Sequence, residues 1–391
     1  MKQIVQEPIL RAEVFRKVPA FTRQEAEDAL AFCCKRLDET MDSFTDRFPR
    51  SSSENGWYAG GANDEWTCSF YTGMLWLAYA LTGKDSYRRV AEHHTENFED
   101  RLRHGDMDTH DIGFLYSLSC VAHYKLTGDG HAKDVAVGAA DALMRRWKEK
   151  GEFFQAWGRI DDPANYRFII DCMMNLPLLY WAGEETGNTL YTERAKKHLK
   201  TTLDNILRED ASTFHTFFMD PETGLPHHGE THQGYSDDSC WARGQAWAVY
   251  GLPLSFGYTK DALAMEVHEK VTAYYLNRLP QDFVPYWDLI FTSGTQPRDS
   301  SSAAIAACGL DEAVKYIERE DLKQIYTGAA DRMLRSLAQD YTTAGQKSNG
   351  ILQHGVYAKP ANRGVDECVI WGDYYYMEAL MRKTDKWVKF W

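Results

Sequence analysis

THDIGFLYSLSCVAHYKLTGDGHAKDVAVGAADALMRRWKEK, residues 109–150, holds one complete structural phrase. Asp111 opens a run of aromatic and small residues that carries few charges. A turn at Gly128 follows, in the style of a helix C-terminus that needs a left-handed residue. AVGAADALMRRWKEK then sets apolar residues three and four apart with polar residues between them, the pattern of a helix with one dry face. A helix with few charges belongs inside, and an amphipathic one belongs between that helix and water.

The phrase recurs along the chain. Acidic openings lie in NDEW (63–66), THDIGF (109–114), IIDC (169–172), YSDDSCWARGQAW (235–247), PRDSSSAA (297–304) and DECVIWGDYYY (366–376). ALTGKDSY, KLTGDGH and EETGNTLY close the first three inner segments in one style. RRVAEHHTENFEDRL, ERAKKHLKTTLDNILRE, AMEVHEKVTAYYLNRL and IYTGAADRMLRSLAQDY repeat the outer, amphipathic pattern. Cys68, Cys120, Cys172, Cys240, Cys308 and Cys368 keep the same rhythm, one in or beside each inner segment, where a free cysteine packs as a small hydrophobe. Residues 20–47 supply a leading helix. These features predict an all-α fold, an (α/α)6 toroid: a closed double ring of about twelve helices. No linker or composition break divides the chain, so residues 1–391 read as a single domain.

Apolar residues make up 44% of the sequence and charged residues 26%, which argues for a sizeable core and against disorder. No stretch approaches the ~18 consecutive apolar residues of a membrane span, and MKQIVQEPILRAEVF lacks the apolar segment of a secretory signal. The expected location is cytoplasmic, where eight cysteines without a C-x-x-C pair stay reduced. No zinc-site spacing is present, so neither metal nor cofactor is expected. A net charge of −13, without a Lys/Arg cluster interleaved with aromatics, argues against nucleic acid as a partner. Twelve Trp and 22 Tyr suit both a core and a pocket that stacks on sugar faces.

In a toroid of this kind the acids at the inner-helix starts gather at one mouth. For Asp64, Asp299 and Asp366 capping accounts for the placement, because Asp accepts hydrogen bonds from the first free backbone N–H groups. Asp171 resists that explanation. It lies in YRFIIDCMMNLPLLYW (166–181), preceded by Phe168, Ile169 and Ile170 instead of turn-forming residues. A carboxyl in such surroundings is costly to ionise and tends to keep its proton. A helix begun there meets Pro177 beyond its first turn and is expected to kink. Asp111 stands sixty residues earlier, one full repeat, so both acids belong in one cavity, where a pair of carboxyls pushes one pKa upward.

Around them lie His110, Trp157 in QAWGR, His215 in FHTFF, and Gln233, Arg243 and Trp247 in HQGYSDDSCWARGQAWAVYG (232–251). Arg243 occupies an otherwise uncharged helical stretch, where a guanidinium invites a carboxylate: a protein acid such as Asp238, or an acid on a ligand. His110 and His215 read equally well as satisfied core histidines.

HDIGFLYSLS, FIIDCMMN, QGYSDDSCWARGQAW and IWGDYYYMEAL resemble the unsaturated glucuronyl hydrolases, glycoside hydrolase family 88, over essentially the whole chain. The resemblance implies one (α/α)6-barrel catalytic domain without a metal. It implies, as substrate, an oligosaccharide left by a polysaccharide lyase, with a 4,5-unsaturated glucuronic acid at its non-reducing end. The chemistry implied is hydration of the C4=C5 vinyl ether: an acid protonates C4, water adds at C5, and the hemiketal opens and sheds the sugar. By the same resemblance Asp171 is the general acid, and general base toward water, while Asp111 tunes it and helps hold the substrate. Trp66 and Trp157 line the sugar site, and His110, His215, Gln233, Arg243 and Trp247 contact hydroxyls or the carboxylate. In some relatives the segment before the final inner helix carries serines and a lysine that favour 6-sulfated amino sugars. Here YAKPANRGVDE (357–367) offers Ala358, Ala361 and Arg363, which predicts a weakened preference for that sulfate pattern.

Other readings remain beside this one. The same hydration can act on unsaturated galacturonyl units from pectin. An inverting glycosidase would place two carboxyls roughly 6.5–9.5 Å apart around a water and cleave saturated glucuronides. A sugar epimerase, or a sugar-binding toroid without turnover, would share the fold alone.

Overall fold

Gly83, Gly128 and Gly187 end three of the inner helical segments with φ of 69°, 75° and 73°, the left-handed conformation that glycine adopts without strain. In each case the glycine N–H returns to a carbonyl of the last turn, that of Tyr79, Tyr124 or Gly183. The chain can then reverse at once into an outer helix. The computed structural model describes residues 3–105 and 107–391.

In chain order the helices are α1 (Ala12–Arg16), α2 (Arg23–Thr40), α3 (Cys68–Thr82), α4 (Asp85–His104), α5 (Ile112–Tyr116), α6 (Ala122–Thr127) and α7 (Gly130–Met144), with a π-helical turn at Ser117–Val121 between α5 and α6. They continue as α8 (Cys172–Thr186), α9 (Thr189–Asn205), α10 (Ala242–Thr259), α11 (Ala262–Asn277), α12 (Ser300–Ala313), α13 (Glu320–Asp340) and α14 (Ile370–Met381). Among the described residues the inner ring runs α3, α5 with α6, α8, α10, α12 and α14, and α14 packs back on α3 to close it. Outside it, α4, α7, α9, α11 and α13 each pack on the inner helix that precedes them, and α2 covers α14. The fold is an (α/α)6 toroid. The leading helix is thus the outer partner of the last inner one.

Burial follows the division into inner and outer. In α3 every residue from Cys68 to Ala78 is buried, whereas α4 buries Tyr87, Ala91, His94, Thr95, Phe98 and Arg101, a three- and four-residue spacing that leaves the other face to water. Cys68, Cys120, Cys172, Cys240, Cys308 and Cys368 are all buried. Pro177 and Pro253 lie inside α8 and α10, and both helices run on through them.

Short strands, which the sequence pattern does not announce, occupy the segments that lead into the inner helices. Arg167–Ile169, Thr216–Met219 and Pro226–Glu230 form an antiparallel sheet, and Gly355–Ala358 pairs with Arg363–Glu367. Because they precede inner-helix starts, these strands gather where the acidic openings do. Trp391 fills the barrel among side chains of α5, α10 and α14, stacked on Tyr375 with its indole N–H bonded to Glu378 at 2.8 Å.

Candidate active site

Helices α5 and α8 begin at Ile112 and Cys172, so Asp111 and Asp171 are the residues that immediately precede neighbouring inner helices. Neither side chain caps its own helix. The helices come together because Gly113 has no side chain: a Cβ there would run into the Cα and main-chain oxygen of Asn175. Asn175 spans the contact. Its Nδ2 donates to Asp111 Oδ1 at 3.3 Å and to the Asp171 carbonyl at 3.1 Å, while its Oδ1 accepts the Phe114 N–H at 2.9 Å.

Asp111 also accepts the Thr109 hydroxyl at 2.8 Å. Burial raises its pKa to about 6, against the pull of Thr109, Asn175 and the guanidiniums of Arg146 and Arg101. Asp171 is less well supplied: its Oδ2 has no hydrogen-bond partner among the described residues. Burial first, and the Asp111 charge second, push it up to about 7, with Arg243 and Trp247 opposing. Two interacting carboxyls with unequal surroundings divide one proton unequally. Near neutral pH the arrangement favours ionised Asp111 beside protonated Asp171.

His215 is 3% exposed, and its Nδ1 accepts the backbone N–H groups of His232 at 3.1 Å and Gln233 at 3.3 Å. A neutral ring so bonded carries its proton on Nε2, which lies 3.9 Å from Asp171 Oδ2. Burial holds its pKa well below the ordinary value. His110 Nε2 lies 3.4 Å from Asp111 Oδ1, and burial lowers its pKa to about 3.

Arg243 is fully buried between the rings of Trp241 and Trp371, at 4.3 and 4.8 Å from their centroids. Its Nη1 donates to Asp299 Oδ2 at 2.7 Å and the Val356 carbonyl at 2.6 Å, and its Nη2 to Gln233 Oε1 at 2.6 Å and the Tyr357 carbonyl at 2.7 Å. Arg243 therefore ties the 355–367 hairpin and the Gln233 loop to the barrel. Trp66 donates its indole N–H to the Tyr357 hydroxyl at 3.0 Å. Beside it opens a polar cavity of about 650 Å³, lined by Arg50, Ser51, Glu65, Asn362, Arg363 and Glu367 among others. Trp157 pairs its backbone with Thr109, and its ring lies 4.4 Å from the Arg167 guanidinium and 5.2 Å from the His232 ring.

The family profile of Glycosyl Hydrolase Family 88 matches residues 37–389. The chain belongs to this family. Among the relatives of this family 88 hydrolase is an unsaturated chondroitin disaccharide hydrolase of Streptococcus pneumoniae, 45% identical over 395 residues and 100% of both chains. The crystal structure of an unsaturated glucuronyl hydrolase from Streptococcus agalactiae superposes with a TM-score of 0.97 at 43% identity, each chain covered to 100%. A mutant of the Streptococcus agalactiae enzyme complexed with dGlcA-GalNAc6S gives 0.90 at 41% identity, again over 100% of both chains.

In this family 88 fold several acids do something other than expected. Asp64 pairs with Arg50 at 2.6 Å, and α3 is preceded by Thr67. Asp299 occupies an N-cap position but spends its carboxylate on Arg243 and on the Ser301 hydroxyl at 2.5 Å. Asp366 has φ of 63° and pairs with His354 at 2.6 Å. Capping is thus not the role of these three: Asp64 and Asp299 each meet a guanidinium that a helix-end amide cannot match, and Asp366 meets the His354 ring. The partner of Arg243 is Asp299, not Asp238, which is exposed. Trp247 is 0% exposed, packs on Phe114 at 5.3 Å, and opposes the rise in the Asp171 pKa.

Asn175 and Tyr357 escape a reading of the sequence, and Asp299 enters it only as a cap, not as the partner of Arg243. A signal for Asn175 was available, because it stands four residues after Asp171 and therefore on the same face of α8. Among the described residues no group of three or more His, Cys, Asp or Glu side chains could hold a metal ion.

Proposed function

We propose that this hydrolase removes a 4,5-unsaturated glucuronic acid from the non-reducing end of glycosaminoglycan fragments by hydrating its vinyl ether. The observation that carries the reading is the Asp171 carboxyl: buried, raised to about 7, with an unengaged Oδ2, beside a second acid that ionises more readily. The names of the relatives at 45% and 43% identity support the same substrate class.

In this reading Asp171 passes its proton to C4. The π pair forms the new C–H bond, and positive charge spreads over C5 and the ring oxygen. Ionised Asp111 steadies that charge at short range, where low dielectric strengthens it. Water then bonds to C5 and returns a proton to Asp171. The hemiketal opens to a ketone at C5, and the C1 hemiacetal left behind collapses to an aldehyde as the neighbouring sugar departs as an alcohol. Burial suits the first step, because a carboxyl with a pKa near the working pH delivers protons best.

Trp66 and Trp157 are assigned to the walls of the sugar site, His110, His215 and Gln233 to polar contacts, and Arg243 to holding Gln233 in place. The proposal takes residues 1–391 as one catalytic domain, supported by the extent of the family match. It also takes the location as cytoplasmic, supported by eight free cysteines, seven of them buried.

Turnover of unsaturated substrates can be followed as loss of the double bond's ultraviolet absorbance, and cleavage of a saturated glucuronide as release of its leaving alcohol. Unsaturated chondroitin disaccharide is expected to react faster than an unsaturated galacturonyl disaccharide from pectin, and a saturated glucuronide not at all. Faster turnover of the pectin unit, or cleavage of the saturated glucuronide, would overturn the proposal.

A further inference from the structure

We infer that Asn175, by bonding the Asp111 carboxylate and the Asp171 main chain at once, is a positioning residue that decides which of the two carboxyls keeps the proton. The inference rests on the proposed reading of the pair as proton donor and ionised neighbour.

The amide has a single orientation. Its Oδ1 receives the Phe114 N–H, and its two N–H bonds point to two oxygens, Asp111 Oδ1 and the Asp171 carbonyl. Turned over, the group would set its own oxygen against a carboxylate and a carbonyl, and its NH2 against an N–H. Aspartate in this place would lack the two donors, and leucine would lack all three groups. Asn175 is 1% exposed, so water does not replace a lost bond cheaply.

Its effect on the two acids is unequal. The bond to Asp111 reaches the carboxylate itself and favours the ionised form, whereas the bond on the Asp171 side ends on the main-chain oxygen and leaves that side chain alone. Asp111 also faces Thr109, His110, Arg101 and Arg146. Asp171 faces His215, Trp247 and Arg243. Among the described residues Asn175 alone hydrogen-bonds both acidic residues, so it fixes their separation as well as their inequality. Ionised Asp111 in turn favours the proton on Asp171.

The test pairs carbon-13 carboxyl NMR titration of the ligand-free enzyme with the pH profile of turnover, for wild type, Asn175→Ala and Asn175→Asp. Asn175→Asp preserves shape and the acceptor for Phe114, and so covers the case in which alanine at this position fails to fold. In either folded variant the Asp111 signal is expected to titrate about one pH unit higher. The acid limb of kcat should follow it and the plateau should fall about tenfold, with KM changed less than about twofold. An Asp111 titration at the wild-type pH, or a shifted titration with an unmoved rate profile, overturns the inference. Wild-type enzyme that turns over no unsaturated uronide sinks the functional reading instead, and the NMR titration still judges this one.

Discussion

The Nε2 atom of His215 lies 3.9 Å from Oδ2 of Asp171, with the opposite ring nitrogen fixed as an acceptor by two backbone N–H groups. This geometry places a neutral N–H donor just beyond hydrogen-bond reach of the acid. Catalytic hydrogen bonds are often long in the free enzyme and tighten in the complex. In the proposed reaction, once Asp171 has given up its proton, the donor can close on the carboxylate.

Nitrogen-15 spectra of labelled histidine are therefore expected to show His215 neutral and protonated at Nε2 across the pH range in which the enzyme works. His215→Ala should lower kcat by about ten- to a hundredfold with a smaller change in KM. A His215 ring that titrates in the ordinary histidine range would contradict this arrangement.

Asp171→Asn should abolish turnover yet stabilise the protein at alkaline pH. The carboxyl titrates at about 7 in the folded state and near its ordinary value of about 3.9 when unfolded. Between those values the native state binds more protons than the unfolded one, so stability falls as pH rises. Above about 7 the folded chain carries a buried charge that the asparagine variant lacks. Urea denaturation should show the variant gaining on wild type by about 2–4 kcal/mol between pH 4 and pH 8. An unchanged difference across that range would place the carboxyl in water.

Arg243→Ala should cost about 3–5 kcal/mol in stability, because it leaves Asp299 buried without its cation. Arg243→Lys should also fail to restore turnover, since an ammonium cannot serve Asp299, Gln233 and two carbonyls from one plane. Denaturation and kcat/KM measured together check both. A lysine variant with wild-type kinetics would show that the fork is dispensable.

Much of this could be read from the chain alone, and the reasons differ by residue. The toroid was legible because inner and outer helices differ in charge pattern over the whole of each repeat, a signal that survives errors at any one position. Asp171 was legible because its neighbours are apolar, and apolar neighbours predict both burial and a raised pKa. The partner of Arg243 was not, since Asp299 lies fifty-six residues away and nothing local distinguishes it from Asp238. The short strands at the mouth were hidden for a related reason. A run such as Thr216–Met219 is too brief for its alternation to stand out from a helical pattern.

The hairpin at 355–367 bears on sulfate preference. Ala358 and Ala361 offer no side-chain donor, and Arg363, 51% exposed, already pairs with Glu65 at 3.3 Å while stacking on Tyr357 at 4.1 Å. An incoming anion has to compete with Glu65 for it. The 6-sulfated unsaturated chondroitin disaccharide is therefore expected to turn over more slowly than its unsulfated counterpart, as kcat/KM measured side by side. Equal or faster cleavage of the sulfated sugar would show that Arg363 reads the anion after all.

The central claim is that a proton passes from solvent, through Asp171, to a carbon atom of the substrate. Turnover of unsaturated chondroitin disaccharide in heavy water, with the product examined by proton and deuterium NMR, tests it most directly. One deuterium at C4 of the released uronic acid is the result the account predicts. Product formed with no deuterium at that carbon would contradict it.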